Sequence, residues 1–406
     1  MKCVCEKWKM AVELIRSRAE TPFYAFSAPQ ITHNIAKFQK AFKMSGRSVE
    51  FFYSVKTNAA TDIATLVKEA GWGLLASSEG DLDVARRVGT RALIFDAPIK
   101  TDAELEVVSQ FISPVIVCQN KREFEHAINF APSARFAMLG LRVTIPCGVS
   151  GHASRFGFDV EYLASKTFVK QSKKFTGLFS GVSLHFHVGG TPATAKQFSA
   201  LASFVMDTWK RLRSCKLDIQ AFSFGGGIPS GLSEVDLKEY GDAVRNALAD
   251  AGVPETVKIW FEPGRAIVED AGILCVTVLD ISLRDGQTYA LVDGGSNLAM
   301  PAWMLGEHKR SIERVDSKRR GEQHGADKIT IVGPMCAEND RLGEIDGAAG
   351  ISSGDCLILK NIGAYDWSTR YFFGRRMPAA FIVQSKGNIQ LLQTGNQLDA
   401  GSVRQG

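Results

Sequence analysis

No stretch of this 406-residue sequence reaches the roughly 18 consecutive apolar residues that a membrane span requires. It also lacks a cysteine framework. Its eight cysteines include no CxxC pair, and no histidine stands near Cys3 and Cys5 to complete a metal site. Free thiols in a reducing compartment, and no metal, are the reading. The opening MKCVCEKWKMAVELIRSRAE interleaves charge with apolar residues, unlike the apolar core of a signal peptide. Charge of one sign is scarce too: 48 basic and 43 acidic residues leave a net +5. The one dense basic run, SKRRGEQHGADK (317–328), has no interleaved aromatics and reads as a solvated loop. There is no internal repeat and no low-complexity linker. The expectation is a soluble cytoplasmic protein, long enough for two domains, with neither membrane nor nucleic acid as partner.

What is present is alternation. Short apolar runs separated by helical patterns fill residues 50–264: FFYSV (51–55), GLLAS (73–77), ALIFDA (92–97), PVIVC (114–118), LGLRVTI (139–145), VSLHFHV (182–188), AFSF (221–224) and KIWFEP (258–263). Continuously apolar strands between helices imply a parallel sheet covered on both faces. Between them, Phe198, Leu201, Phe204, Val205, Trp209 and Leu212 recur at helical spacing. TDIATLVKEAG (61–71) starts on a Thr suited to capping and ends on Gly. Eight strands with crossover helices predict a (β/α)8 TIM-like barrel over 28–267, with a doubly wound open sheet as the alternative. Past residue 268 the runs GILCVTVLDISL, TYALVDGG, KITIVGP, DCLILKN, AAFIVQS and IQLLQ are β-rich with Gly, Asp and Asn turns. They predict a C-terminal β-sandwich or barrel domain (268–406), joined by residues 1–27, whose TPFYAFS (21–27) can return as a strand.

Barrel enzymes carry their chemistry at the C-terminal ends of the strands. There the sequence has Lys56 after the first run, Arg142 in the fifth, His187 in the sixth, Gly225, Gly226 and Gly227 after the seventh, and Glu262 after the eighth. GGGIP (225–229) is either a tight turn or a backbone cradle for an anion, since no Cβ blocks the approach. EPGR (262–265) adds Gly264 and the guanidinium fork of Arg265. His185 and His187 share a strand face, which allows metal ligation, a core histidine or a ring stacked on a flat cofactor. Lys56 can pair with phosphate, act as a base, form a Schiff base or simply make an ion pair. A phosphate cradle, a carboxylate and a histidine at neighbouring strand ends together point to pyridoxal 5'-phosphate. That cofactor needs a Schiff-base lysine, a phosphate site and a group facing its pyridine nitrogen.

The set YSVKTN (53–58), LRV (141–143), SRFGF (154–158), HFHVGG (185–190), FGGGIP (224–229), EPGR (262–265), GPMCAEND (333–340) and GAYDWS (363–368) resembles the alanine-racemase-fold (fold type III) decarboxylases. These comprise the ornithine, diaminopimelate and biosynthetic arginine enzymes. The resemblance runs in order from about residue 20 to 385. It implies a head-to-tail homodimer with active sites shared across the interface. It assigns the cofactor's Schiff-base link to Lys56 and ring stacking to His187. The phosphate goes to Gly225, Gly226, Gly227, Arg265 and Tyr365, and the pyridine nitrogen to Glu262. Arg142 and Gly264 complete the cofactor-binding set. Cys336, from the partner subunit, returns a proton to the substrate carbon, and Asp340 faces the substrate.

The departures from the family bear on substrate. Ala337 follows the cysteine where relatives carry Glu or Asp, and a carboxylate comes one position later, at Glu338. Met300 precedes Pro301–Ala302 where diaminopimelate decarboxylases have an arginine, and a thioether cannot grip a distal carboxylate. Trp303 and Met304 beside it make that pocket more apolar, unless all three only pack the β domain. Gly190 stands at a usual phosphate-binding serine, with Thr191 next to it, and Leu75 replaces an aspartate of the ornithine enzymes. The expected activity is decarboxylation of an ornithine- or lysine-like amino acid, or of a modified amino acid from siderophore or other natural-product assembly. The rivals are a racemase, disfavoured by Glu262 at the pyridine nitrogen, and a non-catalytic paralogue, disfavoured by retention of Lys56, Glu262 and Cys336.

Overall fold

The structure, a computed structural model, describes residues 4–133, 136–172, 177–189, 193–215, 217–299, 310–315, 327–346 and 350–393. They fall into two compact units: residues 32–267, and residues 1–31 together with 268–406. A short strand β1 (Phe23–Ser27) belongs to the second unit.

The first unit is a closed barrel. Its strands are β2 (Val49–Ser54), β3 (Gly73–Ala76), β4 (Ala92–Phe95), β5 (Ser113–Cys118), β6 (Met138–Arg142), β7 (Val182–His185), β8 (Ile219–Ser223) and β9 (Lys258–Phe261). They pair in chain order, all parallel, and β9 closes on β2. Phe52, Leu75, Ile94, Val117, Met138 and Trp260 pack into one buried cluster, so this part of the barrel is filled core and not a pore. The open-sheet alternative is excluded by the closure.

The helix Ala195–Arg213 buries Phe198, Leu201, Val205, Trp209 and Leu212 of the stripe its sequence spacing predicts, and leaves Phe204 half-buried. It begins on a reciprocal box in which the Thr194 hydroxyl accepts the Gln197 N–H while the Gln197 side chain accepts the Thr194 N–H. The helix at Thr61–Glu69 starts differently from expectation. Its cap is Ala60, which offers no side chain, and Thr61 is already helical. Asn58 does the local work instead, its Oδ1 accepting the Ala60 N–H at 3.1 Å.

The second unit is built on a nine-stranded sheet. Its long strand β10 (Gly272–Arg284) serves two sets of partners. The first half pairs with β1, antiparallel, and with Cys356–Lys360; the second half pairs with Gln287–Val292 after a register break between Val278 and Asp280. Such a break bends a strand and lets it pass between sheet faces. β1 also runs parallel to Ala379–Val383, so TPFYAFS does return to this unit. Phe23, Ala25, Ile273, Ile358 and Phe381 form its core with Trp8, Val12 and Ile15 of the helix Val4–Arg16. Cys275 and Cys356 lie in that core with their sulfurs 2.8 Å apart, and both are free, as are Cys118, Cys147, Cys215 and Cys336. Among the described residues no helix is long and apolar enough to cross a membrane.

Because the barrel cluster is closed on all sides, truncating a large member leaves a cavity. Phe52→Ala is expected to cost about 3–5 kcal/mol, read as a fall in the denaturant midpoint.

Candidate active site

β2 stops at Ser54, whose N–H bonds the Pro263 carbonyl beyond β9 at 3.3 Å. The chain then makes a one-turn 3-10 helix, Val55–Thr57, with Val55 and Thr57 buried and Lys56 exposed. Lys56 therefore rides on a turn rather than on the strand end. That resolves the oddity of a lysine after an apolar run, because the ammonium never enters the core. The turn is fixed from below by the Tyr53 hydroxyl, which donates to the Asn58 carbonyl at 3.1 Å.

Glu262 follows β9 directly and is buried. Its Oε1 accepts the Ser223 hydroxyl at 2.5 Å, and its Oε2 accepts His185 Nε2 at 2.7 Å. Ser223 ends β8 and His185 ends β7, so three adjacent strand ends converge on one carboxylate. The same His185 nitrogen lies 3.8 Å from Asp96 Oδ2. Asp96, one residue beyond β4, accepts Arg142 Nη1 at 2.8 Å and Gln119 Nε2 at 2.7 Å. Burial pushes the Asp96 carboxyl up. The electrostatic pull of its neighbours, His185 and Arg142 foremost, then Lys100 and Lys56, overcomes that and holds it far below the usual carboxylate range. The sequence reading found Glu262 and Arg142 but missed Asp96, Ser223 and the His185 bridge. The signal for Asp96 was there: a carboxylate directly after the strand Ala92–Phe95, at its C-terminal end.

His187 lies two residues past β7 and is half-buried. Its Nδ1 accepts the Gly189 N–H at 2.9 Å. Burial first, then the positive charges of Arg142, Lys56 and His185, push its pKa well down, with Asp96 opposing. The ring is neutral near pH 7. The glycine turn is geometrically demanding: Gly225 and Gly227 have φ of +67° and +83°, the left-handed region that favours glycine. A Cβ on Gly226 would meet the Glu262 carbonyl at 2.6 Å. The Glu262 N–H in turn bonds the Gly225 carbonyl at 2.8 Å, so turn and carboxylate are positioned together. Gly264 packs against Thr57, and Arg265, buried, begins the helix Arg265–Val268.

In the other unit, Cys336 and Glu338 are exposed on one turn. Asp340 is buried beneath it, Oδ1 accepting the Ser296 N–H at 2.6 Å and Oδ2 the Met335 N–H at 2.8 Å. Tyr365 has φ +71°, uncommon for a non-glycine residue and most often found where function holds the backbone. Met300, Trp303, Met304, Gly190 and Thr191 lie outside the described residues. Among the described residues no group of three or more His, Cys, Asp or Glu is disposed to hold a metal.

Residues 28–269 match the family model of the pyridoxal-dependent decarboxylase pyridoxal-binding domain. The chain belongs to the pyridoxal-dependent decarboxylase family. This decarboxylase is 24% identical to the L-glutamyl-[BtrI acyl-carrier protein] decarboxylase of Niallia circulans, over 96% of this chain and 94% of that one. It is 24% identical to the diaminopimelate decarboxylase of Campylobacter jejuni, over 95% and 96%. It superposes on the crystal structure of diaminopimelate decarboxylase from M. jannaschii, in complex with L-lysine, with TM-score 0.81. That match has 23% identity and covers 96% of this chain and 92% of the other. The decarboxylase is thus an enzyme of fold type III, and its cofactor is pyridoxal phosphate.

Gly264 offers a test of how tightly the decarboxylase packs here. A Cβ at 264 lands on the Thr57 hydroxyl and 2.9 Å from Thr57 Cβ. Gly264→Ala should cost about 1–3 kcal/mol of stability, measured as a lowered Tm. Adding Thr57→Ala removes the hydroxyl but not the Cβ, so it should restore only part of the loss.

Proposed function

We propose that the chain is an amino-acid α-decarboxylase that releases carbon dioxide and an amine. Its substrate is ornithine- or lysine-like, or an amino acid modified at its distal end. The observation that carries this reading is Glu262, a buried carboxylate at the barrel's C-terminal end, held by Ser223 and His185. Each of its oxygens accepts one hydrogen bond and keeps a second lone pair. A protonated pyridine nitrogen suits that remaining capacity. Lys56, exposed on a neighbouring turn, is the amine that tethers the cofactor aldehyde, and the neutral ring of His187 stacks on the cofactor. Gly225, Gly226, Gly227, Gly264, Arg265 and Tyr365 hold its phosphate, the glycines by allowing backbone N–H groups to approach it. Arg142 completes the binding set. When bound, pyridoxal phosphate supplies the electron sink for the carbanion left as carbon dioxide departs.

The protein's own residues then govern the proton. The Cys336 thiol is exposed, and a thiol can return a proton to Cα. We propose that it serves the partner's barrel in a cytoplasmic homodimer. Glu338, exposed two residues on, is the carboxylate for a distal ammonium. For Asp340 the hydrogen bonds favour a different part: both of its oxygens already clamp backbone, which fixes the turn bearing Cys336 and Glu338. Ala337 and Met300 provide no charge for a distal carboxylate, which argues against diaminopimelate. The relative from Niallia circulans is named for a glutamyl group on a carrier protein, and a carrier-borne substrate is one form of distal modification.

Borohydride reduction of the holoenzyme followed by peptide mapping should put the cofactor label on Lys56; label elsewhere, or none, refutes the assignment. Carbon dioxide release from ornithine, lysine, diaminopimelate and arginine should be poor with diaminopimelate. Brisk turnover of that compound would overturn the reading of Ala337 and Met300. Cys336→Ala should lower kcat by roughly 10²–10⁴ with cofactor binding unchanged.

A further inference from the structure

We propose that Asp96 is a positioning residue, the counterion that keeps Arg142 off Glu262 and so leaves the Glu262 carboxylate available to the cofactor's pyridine nitrogen. The proposal rests on the reading of Glu262 given above. Arg142 and His185 are register partners on the adjacent strands β6 and β7, so their side chains leave the same face side by side. His185 donates to Glu262 at 2.7 Å. The guanidinium, always charged, thus emerges beside the imidazole that grips the site's essential carboxylate.

A guanidinium this enclosed, with its side chain 13% exposed, must pair with something. Asp96 answers that demand at 2.8 Å and is anchored for it, because Gln119 Nε2 donates to its other oxygen at 2.7 Å. Gln119 is itself fixed, its N–H donating to Glu123 Oε2 at 2.8 Å. The nearby cation Lys100 does not need Asp96. It donates to the Ala97 carbonyl at 2.7 Å and pairs with Glu123 at 3.3 Å. The 3.8 Å from Asp96 to His185 is beyond hydrogen-bond range, so that contact is purely electrostatic. Without the Asp96 charge Arg142 loses its buried anion, and Glu262, the carboxylate held by the His185 beside it, is left to draw the guanidinium in competition with the pyridine nitrogen.

The test is the affinity of apoprotein for pyridoxal phosphate and for its 1-deaza analogue, in which carbon replaces the pyridine nitrogen. Asp96→Asn should weaken binding of pyridoxal phosphate by roughly tenfold and leave the deaza analogue within about twofold. Equal weakening of both would mean that Asp96 only supports the fold, and would overturn the proposal; so would no change in either. Glu262→Gln separates the two layers. If it weakens both ligands alike, the reading of Glu262 itself fails. If it discriminates while Asp96→Asn does not, only the role of Asp96 fails. Should Asp96→Asn not fold, Gln119→Leu, which removes the hydrogen bond anchoring Asp96, carries the question: it should weaken pyridoxal phosphate more than the deaza analogue, and equal effects on both refute the counterion role.

Discussion

A carboxylate buried at the end of a parallel barrel has to be satisfied by its neighbours, and much of the candidate site follows from satisfying Glu262. An unpaired ionised carboxylate in that position would cost several kcal/mol. Hydrogen bonds from Ser223 and His185 supply the partners, and both come from the last residues of the two strands that precede it around the barrel. The glycine turn is bound into the same arrangement, since Gly225 bonds both Ser223 and the Glu262 backbone. Side chains on the turn would collide with that backbone, so the glycines are required by packing as well as by any anion they approach.

A second layer stands behind the first. Around the barrel's C-terminal end Arg142 and Gln119 both donate to Asp96, which lies 3.8 Å from His185, and the Gln119 N–H links them to the buried pair Lys100–Glu123. In a low-dielectric interior such networks stiffen one another and hold side chains in single orientations. The other unit solves a similar problem by a different device. Asp340 sits beneath an exposed turn and takes two backbone N–H groups, so that Cys336 and Glu338 stand on a rigid support.

Much of this was legible in the sequence. The barrel was read from eight apolar runs between helical stretches, and each of strands β2 to β9 overlaps one of those runs. Lys56 and Glu262 stood out because a charge at the end of an apolar run demands an explanation. What the sequence hid was pairing. Nothing local tells that His185, rather than His187, grips Glu262, because their spacing fits one strand face although the strand ends at His185, and the partner is 77 residues away. Asp96 lay unremarked inside the run ALIFDA, and its meaning depends on Arg142, two strands further around. Short or polar elements were missed for lack of periodic signal: Ile312–Arg314 has three residues, and Arg341–Asp346 alternates charge with apolar side chains. Thr61 was read as a cap because the residue type fits, whereas the chain begins that helix on Ala60 and lets Asn58 stabilise the approach.

The central claim is that Glu262 keeps the cofactor's pyridine nitrogen protonated. The most direct measurement is the nitrogen-15 chemical shift of pyridoxal phosphate labelled at that nitrogen and bound to the enzyme. The account predicts the shift of a protonated ring nitrogen in the wild type, and a move to the unprotonated range in Glu262→Gln. An unprotonated nitrogen in the wild-type holoenzyme would contradict it.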